Sequence, residues 1–125
     1  MTKKLLRALL ALFIVAVSPW ALAAGWGAVL RDSPAEDFDD EDSRLFLAAI
    51  KQVLEATPPP QPLDWRNDAS GAGGTLLVVG HPKRPDFGEC RRVRATLYSK
   101  KRKGNPTAWT ACKDTSGNWK LVGVG

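Results

Sequence analysis

The apolar residues of this chain change their period once, and that change limits the fold more than any other feature. Leu45, Ala49 and Val53 recur every fourth position, with Phe46, Ile50 and Leu54 beside them. This is a broad stripe along one face of an amphipathic helix. From Leu63 onward the period is two. Leu63, Trp65 and Asn67 alternate with Asp64 and Arg66, and residues 75–79 form a short β-branched and apolar run. Val93, Ala95 and Leu97 then oppose Arg92, Arg94, Thr96 and Tyr98, as a strand with one buried face requires. Residues 107–113 and 119–124 read as the last strands. The prediction is an α+β domain: one amphipathic helix followed by a small antiparallel sheet of about five strands.

The punctuation agrees with this reading. Asp39, Asp40, Glu41 and Asp42 stand where a helix start favours cap oxygens and negative charge. They do not read as a calcium loop, which places a glycine among its oxygen ligands. Thr57 and the three prolines after it end the helix and make a stiff extended connector. Residues 68–74 read as a turn rich in residues that tolerate positive φ. The two prolines within 81–86 break the next strand, residues 100–106 form a polar loop, and residues 115–118 a hairpin turn.

Ahead of the domain lies a targeting pattern. Lys3, Lys4 and Arg7 supply positive charge, residues 5–17 are apolar apart from Arg7, and Ala21-Leu22-Ala23 is a small-x-small cleavage signature. The apolar run falls short of the roughly 20 residues that span a bilayer. Residues 1–24 are therefore expected to be a signal peptide, residues 25–38 a flexible acidic lead-in, and residues 39–125 the single domain. The expected product is periplasmic or secreted, with no transmembrane segment after cleavage.

Export bears on the only two cysteines, Cys90 and Cys112. In an oxidising compartment they are expected to form a disulfide. Free thiols, a metal site or a Cys-His nucleophile are the alternatives, but two cysteines and the lone His81 fall short of a four-ligand zinc set. If residues 89–99 and 107–113 make a hairpin, the two cysteines become cross-strand neighbours within bridging reach. No metal and no cofactor is expected.

Removing Lys3, Lys4 and Arg7 takes the formal net charge from +5 to +2. What remains is polarised. Acids crowd the stretch from Asp32 to Asp42, whereas Lys83, Arg84, Arg91, Arg92, Arg94, Lys100, Lys101, Arg102 and Lys103 make the later part basic. An overall basic chain invites a nucleic-acid reading, but the basicity is local and the compartment argues against it.

Several short motifs run in one order: Asp64-Trp65-Arg66-Asn67, Ser70-Gly71, Gly73-Gly74-Thr75, Gly88-Glu89-Cys90-Arg91, Thr110-Ala111-Cys112-Lys113 and Ser116-Gly117-Asn118-Trp119. Over roughly residues 45–122 the chain resembles the C-terminal domain of the bacterial common surface antigen family, whose founding members are small rickettsial outer-membrane lipoproteins. The resemblance implies an envelope protein with a helix packed on a small antiparallel sheet and no established catalytic site. Three features depart from the family: the lipid-attachment cysteine and the glycine-zipper segment are missing, and the Lys100-Lys101-Arg102-Lys103 loop is extended.

The chemistry-bearing candidates are few. Trp65, Trp109 and Trp119 fall in strands, where the expectation is core packing with the indole N–H reaching the surface rather than a sugar-stacking platform. His81, between a glycine and a proline, has no serine or acid partner in a motif. No G-x-S-x-G, H-E-x-x-H or phosphate-cradling glycine loop is present, so no enzyme activity is expected. The basic hairpin exceeds background: Lys100, Lys101, Arg102 and Lys103 at a loop tip, with Arg92 and Arg94 on the strand face below. It is read either as a solvated loop protecting an edge or as a docking site for an anionic envelope component or protein partner. A further reading makes the domain an inhibitor of an envelope hydrolase such as lysozyme, acting through its acidic lead-in.

Overall fold

A computed structural model describes residues 31–124. The signal-peptide reading of residues 1–24 and the start of the lead-in, 25–30, lie outside the described residues. A 3-10 helix, Pro34–Asp37, leads into helix α1, Asp40–Glu55. Five strands follow: β1 (Leu63–Asn67), β2 (Ala72–Gly80), β3 (Cys90–Tyr98), β4 (Thr107–Lys113) and β5 (Trp119–Val124). Each pairs antiparallel with the next, so the sheet order is β1-β2-β3-β4-β5. The α+β reading is thus met in full, and no helix among the described residues is long and apolar enough to cross a membrane.

α1 begins where its acids sit. The Asp39 carboxylate accepts from the Asp42 backbone N–H at 2.7 Å, and the Asp42 carboxylate accepts from the Asp39 N–H at 3.0 Å. This is a reciprocal capping box built from two aspartates rather than the usual hydroxyl and glutamate. Asp42 does more than cap. It is 1% exposed, and its Oδ1 accepts from Asn67 Nδ2 at 2.8 Å and from Ser70 Oγ at 2.5 Å. One carboxylate thereby ties the start of the helix to the β1–β2 turn.

The other end of α1 has no basic residue of its own in the last turn. Arg91 of β3 supplies it, donating from Nη1 to the Ala56 carbonyl at 2.8 Å and the Val53 carbonyl at 3.5 Å. Orphan carbonyls and the negative end of the dipole both favour a cation there.

The apolar face of α1 packs over β1 and β2. Phe46, Ile50, Val53 and Leu54 meet Trp65, Leu76, Val78, Val93, Leu97 and Trp109 in one buried cluster. Residues 33–38, read from composition as lead-in, join it. Ser33 caps the 3-10 helix, Pro34 is buried, and Phe38 stands edge-on to Trp65 with ring centroids 5.3 Å apart. Acidic composition masked the two apolar residues that anchor this turn.

Two expectations need correction. The glycines at 73 and 74 lie inside β2, not in the preceding turn, which ends at Gly71. A Cβ on Gly73 would come within 2.6 Å of the Trp65 carbonyl oxygen, and one on Gly74 within 2.8 Å of the Thr96 carbonyl. These positions need glycine for close approach, not for turn geometry. The Trp65 indole does not reach the surface either: its Nε1 is buried without a hydrogen-bond partner among the described residues. Trp65 and Trp109 are core residues, whereas Trp119 is only half-buried, with Arg91 and Lys113 over its ring at 5.8 and 5.2 Å.

Cys90 and Cys112 are direct cross-strand partners and form the expected disulfide, with Cα atoms 4.0 Å apart.

Candidate functional site

Helix and 3-10 turn cover one face of the sheet. By alternation from the buried Val93, Ala95 and Leu97, the opposite face of β3 carries Arg92, Arg94, Thr96 and Tyr98. Arg92 and Arg94 are exposed and stand beside Thr110 and Ala108 of β4. At a strand rise of about 3.3 Å per residue, Arg92 is roughly 20 Å from Tyr98, where the β3–β4 loop begins. The uncharged Thr96 and Tyr98 lie between, so the cations form two groups rather than one unbroken patch.

The loop itself is a built structure. The Ser99 N–H donates to the Arg102 carbonyl at 2.8 Å, and Gly104 N–H to the Leu97 carbonyl at 2.8 Å. The Ser99 hydroxyl accepts from the Lys101 and Arg102 backbone N–H groups at 3.3 and 3.2 Å. Its proton goes to Asp37 Oδ2 at 2.7 Å. Arg102 then clamps the same aspartate, from Nε at 2.9 Å and Nη2 at 3.2 Å, and reaches Glu36 at 3.3 Å. The acidic stretch therefore meets the basic hairpin through one arginine. Arg102 and the Ser99 hydroxyl hold the Asp37 carboxyl below its ordinary range. Glu36 is lowered chiefly by the Asp32 backbone N–H and then by Arg102.

Lys100, Lys101 and Lys103 are exposed, and among the described residues none of them, nor Arg92 or Arg94, forms an ion pair. Between the 3-10 turn and the loop lies a cleft of about 270 Å³, lined in part by Ser33, Pro34, Arg102, Lys103, Asn105 and Thr107. Sequence reasoning gave no sign of Ser99 or of this cleft. Both depend on a contact between residues more than 60 positions apart.

No group of three or more metal-ligating side chains occurs among the described residues. His81 borders a cavity of about 20 Å³, room for one water, and Arg91 is the charged group lining it.

Taken together, these features define a small disulfide-clipped helix-on-sheet domain with an exposed basic loop between β3 and β4. Its sequence is similar to that of two proteins named 17 kDa surface antigen, from Rickettsia bellii strain RML369-C and from Rickettsia bellii, at 29% identity over 86 residues in each case. The match covers 67% of this chain and 52% of each relative, so the chain spans about half the length of the curated relatives it matches. No family model and no solved structure matches.

The similarity supports the relationship suggested by the motif order, and the structure explains what those motifs do. Asn67 and Ser70 bind Asp42, Trp65 fills the core, and Gly73 and Gly74 admit neighbouring strands. Arg91 caps α1, the cysteines pair, and Gly117, with φ +80, turns the last hairpin under the Asp114 carboxylate. These residues are spread across the fold and hold it together; they do not converge on a reacting centre.

Proposed function

We propose that this chain is a non-catalytic, exported protein of the cell envelope, and that its surface-antigen-like domain docks an anionic envelope component through the basic β3–β4 hairpin. The observation that carries the reading is the trio Lys100, Lys101 and Lys103, exposed and forming no ion pair among the described residues, on a loop closed by bonds from the Lys101 and Arg102 backbone N–H groups to the Ser99 hydroxyl. Arg92 and Arg94 add charge on the adjoining sheet face. The similarity to proteins named surface antigens and the disulfide support an exported setting, periplasmic or secreted, at the periphery of the outer membrane. Two of the lead-in acids that a lysozyme inhibitor would present, Glu36 and Asp37, are engaged by Arg102, which favours the basic loop as the contact.

Each lysine near an anionic surface contributes about 1 kcal/mol, screened within a Debye length. Cross-linking in living cells, wild type against the Lys100→Ser, Lys101→Ser, Lys103→Ser triple variant, tests the reading. A captured species lost in the variant, with binding that weakens as salt rises, is the expected result. Capture that is indifferent to the lysines and to salt would remove the basic hairpin from the account.

A further inference from the structure

The Asp37 carboxylate sits in a ready-made anion site. A hydroxyl proton from Ser99 and two guanidinium N–H groups from Arg102 converge on it, at 2.7, 2.9 and 3.2 Å. The donor geometry is that of oxyanion recognition, in which a planar guanidinium offers parallel donors to a carboxylate or a phosphate. Asp37 is not the anchor of its own segment. That part is played by Pro34, buried against Gly104, and by Phe38, packed on Trp65 and Phe46. The acid can leave Arg102 without the turn leaving the core. Beside this pairing opens the 270 Å³ cleft, whose wall carries three cations, Arg31, Arg102 and Lys103, and one acid, Asp32, together with the polar Ser33, Asn105 and Thr107. A phosphate group entering there would meet an excess of positive charge, three basic side chains against the one carboxylate of Asp32, and several hydrogen-bond donors.

Resting on the basic-hairpin reading, we propose that Ser99, Arg102 and Lys103 form a specific subsite for the phosphate of an anionic lipid headgroup, and that Asp37 is its internal occupant, displaced when the phosphate binds. The lysines at 100 and 101 then draw the domain to the surface, and Arg102 reads the phosphate. The free protein then binds below its full capacity, because Arg102 is masked by two carboxylates of its own chain, Asp37 and, more distantly, Glu36.

Binding to vesicles of zwitterionic phospholipid, with and without phosphatidylglycerol, tests this. Asp37→Asn keeps an oxygen for the Ser99 hydroxyl, and its melting temperature checks that the domain is intact. Because Glu36 also pairs with Arg102, the unmasked form is Asp37→Asn combined with Glu36→Gln, and unmasking one arginine at an anionic surface predicts about fivefold tighter binding by that double variant. The gain must vanish in an Arg102→Gln background, because a site needs its guanidinium and mere removal of negative charge does not. An equal gain with and without Arg102, or no gain, overturns the subsite while leaving a lysine-dependent attraction standing. If no variant prefers phosphatidylglycerol, the hairpin reading falls and the subsite with it. Inorganic phosphate in place of vesicles separates the two sources of the anion: saturable binding at Arg102 that vesicles fail to compete would refute the headgroup assignment.

Discussion

Asp42 offers the sharpest test of how this fold is held. Its carboxylate, 1% exposed, accepts from Asp39 N–H, Asn67 Nδ2 and Ser70 Oγ at 3.0, 2.8 and 2.5 Å. Hydrogen bonds to a charged group are worth ~1.5–3 kcal/mol each, and loss of a cap costs about 1 kcal/mol. The sum overstates the effect, since Asn67 and Ser70 are only half-buried and can turn to water. Asp42→Ala is therefore expected to cost about 3 kcal/mol, roughly 12–24 °C in melting temperature for a domain of this size. Asp42→Asn retains one acceptor and places an amide donor against a donor, for about 2 kcal/mol.

The pH dependence follows. Burial raises the Asp42 pKa, but the bonds from Ser70, the Asp39 backbone and Asn67 outweigh it, so the group ends below its ordinary value of 3.8. A carboxyl lowered on folding adds stability that is fully present above the unfolded pKa and lost as pH falls through the folded one. Wild type should thus lose stability below about pH 4 more steeply than Asp42→Ala. Thermal melts followed by circular dichroism at several pH values measure both effects. A variant within about 0.5 kcal/mol of wild type, with an unchanged acid flank, would refute the tie between helix and hairpin turn.

The remaining predictions concern other fastenings. Reducing Cys90–Cys112, which closes a separation of 22 residues, should cost about 3 kcal/mol; an unchanged melt in reductant would show that the bond adds nothing. Trp109→Ala, which removes a side chain 1% exposed, should cost about 3–5 kcal/mol, and the half-buried Trp119→Ala about 1–2 kcal/mol; chemical denaturation orders them, and the reverse order would contradict the burial. Gly73→Ala should destabilise by about 1–3 kcal/mol through overpacking, read in the same assay; a neutral result would mean that β1 and β3 can part at no cost. Arg91→Lys should recover little of what Arg91→Ala loses, because a single ammonium cannot serve Ala56, Glu89 and the Trp119 face together.

By itself the sequence determined the order of the long helix and the five strands and the inward face of each, but not the 3-10 turn ahead of them. A four-residue apolar spacing in 45–54 admits only a helix, and alternation in 89–99 commits Val93, Ala95 and Leu97 to one side. The cysteine pair then followed from the hairpin, because local periodicity and turn chemistry act over a few residues and are written in neighbouring letters. Tertiary structure decided the rest. Asp42 looked like one acid of four until Asn67 and Ser70 arrived from 25 and 28 residues away. Gly73 and Gly74 looked like turn residues until neighbouring strands closed on them. Arg91 and Arg102 looked alike as members of a basic run, yet one caps a helix and the other clamps an aspartate. Charge in a sequence states what a side chain can attract, and only the folded chain brings the partner within 3 Å of it.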